Sequence, residues 1–113
     1  MPDTNSIDKS VIESLRDIMG DAFSMLISTF TNDTGKLVHS LSELQQQNDI
    51  EVFTRNSHSI KSSCANVGAL QMSSIAAELE AQGKTGDISN VSDKVNNLQN
   101  EFEKACVELN EII

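Results

Sequence analysis

The sequence predicts an all-α protein, an up-down four-helix bundle with a short additional N-terminal helix. Three observations predict this fold. Apolar residues recur at helical spacing along the chain, and no stretch shows the alternation of a half-buried strand. The single proline, Pro2, leaves the interior free for long helices. Short turn signals separate amphipathic segments, which bury their apolar faces by packing together as a bundle.

A short first helix is expected from about Asp8 to Met19, and Gly20 stops it. Its apolar positions at helical spacing are Val11, Ile12, Leu15 and Ile18. Because the four longer helices form the bundle, we expect this short helix to cover one of its ends.

A long second helix is expected from about Asp21 to Gln47. Asn32, Asp33 and Gly35 favour the helical conformation weakly, so a kink is expected in its middle. Its apolar stripe consists of Phe23, Leu26, Ile27, Phe30, Leu37, Leu41 and Leu44.

The third helix is expected to begin at Asn48, an N-cap residue that forms a capping-box-like pair with Glu51. It is expected to end at Gly68. Its buried side carries Phe53, Ile60, Cys64 and Val67.

Two further helices complete the predicted bundle. The fourth is expected from about Ala69 to Gln82 and the last from about Ile88 to Ile112, with residues 83–86 forming a turn between them. The inward positions of the fourth are Met72, Ile75, Ala76 and Leu79, and those of the last are Val91, Val95, Leu98, Phe102, Cys106 and Leu109.

Length and charge limit the class of protein. The 113 residues are enough for one domain, residues 1–113, and the net charge of −9 argues against binding to nucleic acid or to an anionic membrane. Cys64 and Cys106 do not make a disulfide framework, and we expect buried free thiols. No basic-apolar leader or membrane-spanning run is found, and the apolar stripes are narrow. We therefore expect a cytoplasmic monomer.

The third helix carries the candidate chemistry. Its apolar stripe places His58 roughly 140° from the core direction, facing water. Lys61 and Ser62 share the face of His58. Neutral imidazole is a competent nucleophile near neutral pH, and a lysine one turn away can screen a phosphoryl group on its nitrogen. Ser62 and Ala65 are small enough for another domain to approach the ring. From spacing alone, a surface histidine of no consequence remains an open alternative.

The segment 57–70 closely resembles the phosphorylation motif of histidine-containing phosphotransfer (HPt) domains of two-component phosphorelays. That family has a histidine, a lysine at the third position after it, a small residue next, a run of small residues and a glycine-bounded helix end. This chain matches the pattern at His58, Lys61, Ser62, Ala65, Gly68 and Ala69. Ser62 stands where glycine is commonest in the family, and serine is small enough for docking to survive.

The resemblance implies that Nε2 of His58 carries a phosphoryl group between aspartates of receiver domains. It also implies that Glu80, which matches a polar position on the next helix, contacts the imidazole from the side. A solvated carboxylate beside Glu78 is the alternative. The strip of Thr54, Ser62 and Ala65 is then the surface on which the receiver docks.

The implied partners are response-regulator receiver domains and a hybrid sensor histidine kinase. The chain itself is expected to need no cofactor, because Mg²⁺ belongs to the partner receiver. We expect no enzyme with its own nucleotide site, since Gly83 and Gly86 do not form the complete pattern of a phosphate loop. Whether the chain stands alone or is a domain of a hybrid kinase stays open.

Two other hypotheses compete with the phosphocarrier. One is a non-covalent helical interaction module in which the histidine motif is inert. The other is the dimerisation and phosphoacceptor domain of a histidine kinase, which places an acidic residue where this chain has Ser59. The second histidine, His39, is followed by Ser42 and Glu43 at the spacing of Lys61 and Ser62, so we interpret it as ordinary surface.

Overall fold

The computed structural model describes residues 7–112, and this part of the chain is all-helical, as predicted. Helix α2 passes through a π-helical turn directly into α3, so the three segments form one long arm. This arm, α4, α5 and α6 are the four members of the bundle, and each packs against its two neighbours. The helices are α1 (Lys9–Met19), α2 (Ala22–Thr29), the π turn (Phe30–Thr34), α3 (Gly35–Gln46), α4 (Ile50–Asn66), α5 (Leu70–Lys84) and α6 (Ser92–Ile112).

Helix α1 lies over the end of the bundle where α4 turns into α5. The backbone N–H of Asp8 donates to the carbonyl of Gly68 at 2.7 Å, and a Cβ on Gly68 would lie 3.0 Å from Val11. Gly68 has a φ of 76°, a conformation that glycine adopts without a steric penalty. Ile18, expected on the apolar face of α1, is 82% exposed, because it lies about 120° around the helix from the buried Ile12.

The middle of the long arm is a π-helical turn. The predicted irregularity at Asn32, Asp33 and Gly35 takes this form, in which the helix widens and continues. Phe30 and Thr34 at its two ends are buried. The next residue, Gly35, packs against the ring of Phe102 from α6, and a Cβ added to Gly35 would lie 3.1 Å from that ring.

The start of α4 differs from the predicted N-cap. Asp49, not Asn48, caps the helix, and its Oδ1 accepts a hydrogen bond from the N–H of Val52 at 3.3 Å. Asn48 instead closes the preceding helix with a φ of 54°, a left-handed conformation that asparagine tolerates better than most residues. Two adjacent polar residues thus divide the two capping tasks.

The predicted turn at residues 83–86 is wrong in its first half. Gly83 and Lys84 belong to the last turn of α5, and the chain turns at Gly86, whose φ is 84°. Helix α6 begins at Ser92, later than predicted, although Ile88 and Val91 before it are buried and anchor the connection. No helix within residues 7–112 is long and apolar enough to cross a membrane.

Candidate functional site

His58 lies in the middle of α4, on the side turned away from the core. The buried positions of this helix are Phe53, Ser57, Ile60 and Cys64, and they form the face opposite the histidine. The side chain of His58 is 58% exposed. This exposure leaves the ring accessible to another macromolecule.

The imidazole of His58 is held from one side by Glu80 of α5. Nδ1 lies 2.7 Å from Oε2 of Glu80, so the neutral ring donates its Nδ1–H to the carboxylate. This bond selects the tautomer whose Nε2 carries a lone pair. Among residues 7–112, no side chain or backbone group makes a hydrogen bond to Nε2 of His58.

Glu80 is also the meeting point of two lysines. Nζ of Lys61 lies 2.7 Å from Oε1 of Glu80, and Nζ of Lys84 lies 3.6 Å from Oε2. Glu80 itself is only 7% exposed. The hydrogen bond from Lys61, reinforced by the one from His58, holds the pKa of the Glu80 carboxyl below its ordinary value of 4.5, although burial acts in the opposite direction. The carboxylate is therefore ionised at neutral pH.

The structure brings together the three residues for which the sequence analysis expected a role in the chemistry. Glu80 is not the solvated carboxylate of the alternative interpretation, because it is buried and faces His58. Its neighbour Glu78 is the exposed one, and its Oε2 lies 3.9 Å from Nζ of Lys94. Lys61 reaches the site through Glu80, since its ammonium group binds the carboxylate.

The three residues expected in the docking strip differ in exposure. Ser62 and Ala65 are exposed on α4, whereas Thr54 is half-buried and its hydroxyl donates to the carbonyl of Ile50 at 2.7 Å. Thr54 lines a shallow surface groove that runs past the histidine. The groove is lined by Ile50, Glu51, Thr54, Arg55, His58, Glu80, Gly83 and Lys84.

The sequence analysis gave no site role to five of the residues that line this groove: Ile50, Glu51, Arg55, Gly83 and Lys84. Arg55 precedes His58 by three residues, and Lys84 follows Glu80 by four, so both spacings place them on the faces of the site. These spacings could have found them once Glu80 was assigned. Gly83 follows Glu80 by three residues and so shares its helix face, but no local spacing could show its close contact with Thr54 of another helix.

The other singled-out residues lie elsewhere. His39 is exposed, with its ring edge-on to Phe102 at a centroid distance of 6.2 Å. Cys64 is fully buried, and burial raises the pKa of its thiol to about 12. Cys106 is half-buried rather than buried, because Ala105 occupies the inward position. The described part of the chain holds no group of three or more His, Cys, Asp or Glu residues that could bind a metal ion.

Residues 25–108, well over half of the chain, match the family model described as Hpt domain. The chain belongs to the Hpt domain family. Hpt proteins are phosphocarriers rather than classical enzymes, and they interact with receiver domains and kinases. The function of this Hpt protein is histidine phosphotransfer in a two-component phosphorelay.

A solved structure shows the same fold as this Hpt protein. It is that of histidine-containing phosphotransfer protein B from Pseudomonas aeruginosa PAO1, with a TM-score of 0.90 and 24% sequence identity. The similarity covers 96% of this chain and 95% of that one. A comparison with curated proteins found no significant match.

Proposed function

We propose that His58 is the phosphoacceptor and that its Nε2 exchanges a phosphoryl group with an aspartate of a receiver domain. The observation that carries this proposal is the 2.7 Å contact of Nδ1 with buried Glu80, combined with the exposed ring. A nucleophile must present an unprotonated nitrogen, and the hydrogen bond to Glu80 occupies the other one.

The forward step begins from the neutral imidazole. The lone pair on Nε2 attacks the phosphorus of an aspartyl phosphate, the N–P bond forms, and the P–O bond to aspartate breaks. The aspartate leaves as a carboxylate and takes both bonding electrons. No proton needs to move, because Nδ1 keeps its hydrogen. The ring becomes formally cationic, and the carboxylate of Glu80 lies against that charge.

The return step uses the same arrangement. When a second receiver's aspartate attacks the phosphorus, the N–P bond breaks and a neutral imidazole leaves with its Nδ1–H in place. A neutral leaving group departs more easily than an imidazolate, so retention of this proton by Glu80 serves both directions. Reversible transfer is what a carrier between two aspartates requires.

The two lysines support this chemistry in different ways. Lys61, at 2.7 Å, keeps Glu80 ionised and in place. Lys84 is 68% exposed and binds Glu80 more loosely, at 3.6 Å, which leaves its ammonium group free to move toward a phosphoryl group on the ring. Both cations reduce the electrostatic cost of adding roughly two negative charges.

The partners follow from the chemistry that this chain leaves to others. We propose that the receiver contributes the aspartate and the Mg²⁺, that a hybrid sensor kinase supplies the phosphoryl group, and that this chain has no nucleotide site of its own. The receiver docks over the exposed Ser62 and Ala65 and along the groove beside Thr54. The monomeric state and the cytoplasmic location expected from the sequence stay predictions.

Labelling by a phosphorylated receiver tests this proposal. We expect the wild type and His39→Gln to acquire the phosphoryl group and His58→Gln to acquire none. His39 is the matched control, because it is the second histidine and is also exposed. Equal labelling of His58→Gln would contradict the assignment. Receiver binding without labelling of any variant would favour the non-covalent interaction module.

A further inference from the structure

Helices α4 and α5 approach each other very closely at the level of the histidine. Gly83 of α5 faces Thr54 of α4, and a Cβ added to Gly83 would overlap the Thr54 hydroxyl oxygen. That Cβ would also lie 3.0 Å from the Cβ of Thr54 and 3.3 Å from its Cα. Carbon atoms normally pack at about 3.5–4.0 Å, so only a residue without a side chain fits here.

This contact lies one helical turn from the His58–Glu80 hydrogen bond. Gly83 follows Glu80 by three residues, and Thr54 precedes His58 by four, so each pair shares a helix face. On the other side of the bond, the hydroxyl of Ser73 donates to the carbonyl of Lys61 at 3.0 Å and ties α5 to α4. The hydrogen bond thus spans a gap whose width is set on both sides.

The length of the bond makes it sensitive to that width. At 2.7 Å the carboxylate and imidazole form a strong charge-assisted hydrogen bond, whereas at about 3.6 Å such a pair is no longer bonded. Rotation of the Thr54 hydroxyl would relieve only part of the overlap, because the Cβ and Cα of Thr54 belong to the helix. A methyl group on Gly83 would therefore push the helices apart beside the site.

We propose that Gly83 is a positioning residue for phosphotransfer, and that its contact with Thr54 sets the spacing of α4 and α5 that lets Glu80 select the reactive tautomer of His58. This inference rests on the proposed roles of His58 and Glu80. It assigns to the α5 glycine a function in the reaction that acts through the spacing of the two helices.

The test is ¹⁵N NMR of the imidazole of His58 in the unphosphorylated full chain, at a pH where the ring is neutral. We expect the wild type to show the proton on Nδ1 and Gly83→Ala to show a shift of the population toward Nε2–H. Phosphotransfer to Gly83→Ala should slow by about tenfold or more, as expected for a misplaced reacting group. The matched control is Gly35→Ala, a second buried helical glycine, which should keep the wild-type spectrum and rate.

A rescue variant separates spacing from a general loss of stability. Thr54→Gly provides on α4 the space that Gly83→Ala fills from α5, so the double variant should regain the Nδ1–H signal. If Gly83→Ala alone does not fold, a folded double variant with the wild-type signal supports the proposal. A wild-type spectrum in Gly83→Ala, the same shift in Gly35→Ala, or a double variant without the Nδ1–H signal overturns it.

The spectrum does not depend on phosphoryl transfer. Failure of the proposed function would appear separately, as labelling of His58→Gln by the phosphorylated receiver.

Discussion

At the scale of single residues, the site depends on one buried carboxylate with two hydrogen-bond donors and a third cation nearby. Oε2 of Glu80 accepts a hydrogen bond from His58, and Oε1 accepts one from Lys61. The ammonium group of Lys84 lies near Oε2. Each donor stabilises the ionised form, and the ionised form in turn orients the imidazole. The chemistry of the histidine therefore depends on the charge of a residue 22 positions away in the chain.

Glu80→Gln is expected to slow phosphotransfer less than Glu80→Ala. An amide oxygen still accepts a hydrogen bond from Nδ1–H, but it carries no charge to stabilise the cationic ring of the phosphorylated state. Stopped-flow transfer from a phosphorylated receiver would measure the order wild type, Gln, Ala. Equal rates for the wild type and both variants would contradict a role for this residue.

Glu80 should also make the stability of the fold sensitive to acid. Its pKa is lower in the folded state than the ordinary value of 4.5, so its contribution is fully present above that value and is lost as the pH falls through the folded-state pKa. Urea unfolding can follow this between about pH 6 and about pH 3. As the pH falls over this range, the free energy of unfolding should decrease less in Glu80→Gln than in the wild type. Parallel pH profiles would contradict this.

Lys61→Ala should impair transfer more than its small effect on stability suggests. Lys61 is about one-third exposed, and such partly exposed ion pairs contribute about 1 kcal/mol or less. Its loss, however, removes the main group that keeps Glu80 ionised. The matched control is Lys94→Ala, whose partner Glu78 is exposed and outside the site. Transfer rates that fall equally in both variants would argue against a specific role.

At the scale of the secondary-structure elements, two capping residues place α4 and hence the histidine. Asp49 begins α4 with a side-chain cap, and Asn48 ends the preceding helix in a left-handed conformation. Because the turn between the helices is short, a change in either cap alters where α4 begins relative to α3.

These two tasks predict opposite responses to substitution. Asp49→Ala should destabilise the protein by about 1 kcal/mol, as expected for the loss of an N-cap. Asn48→Gly should be neutral or stabilising, because glycine adopts a positive φ without a steric penalty. Thermal unfolding of the two variants measures both effects. Unchanged stability in Asp49→Ala would contradict its role as the N-cap.

At the scale of the whole molecule, charge is distributed unevenly around the site. The chain has a net charge of −9, yet three cations surround the histidine: Arg55, Lys61 and Lys84. Arg55 and Lys84 line its groove. Glu51 and Glu80 offset part of this positive charge, so the face of His58 repels an acidic phosphorylated surface less strongly than the rest of the molecule does. Docking is therefore expected to be confined to the face that carries His58.

Ser62→Arg tests that docking face. Ser62 is exposed, so the substitution should change stability by about 0.5 kcal/mol or less. Transfer should slow, because the long side chain projects one turn beyond His58 where the receiver must approach. Ser24→Arg, at an exposed serine of α2, is the control and should transfer at the wild-type rate. Wild-type transfer by Ser62→Arg would place docking elsewhere.

The sequence by itself determined the features that depend on near neighbours along the chain. Helical periodicity predicted the bundle, the short first helix and the outward direction of His58, because these follow from which residues share a helix face. The resemblance to the family added Glu80 as a candidate, without deciding between a solvated and a bound carboxylate.

Only the tertiary structure decided how the helices meet. It showed that Glu80 is buried against His58, that Lys61 binds the carboxylate rather than standing free, and that Gly83 continues α5 because Thr54 packs against it. Glycine after a helical pattern ordinarily signals a turn. Here the glycine lies inside a helix, because a second helix approaches so closely that no side chain would fit. The physical reason is that such distances depend on the packing of residues far apart in the sequence, which local patterns do not encode.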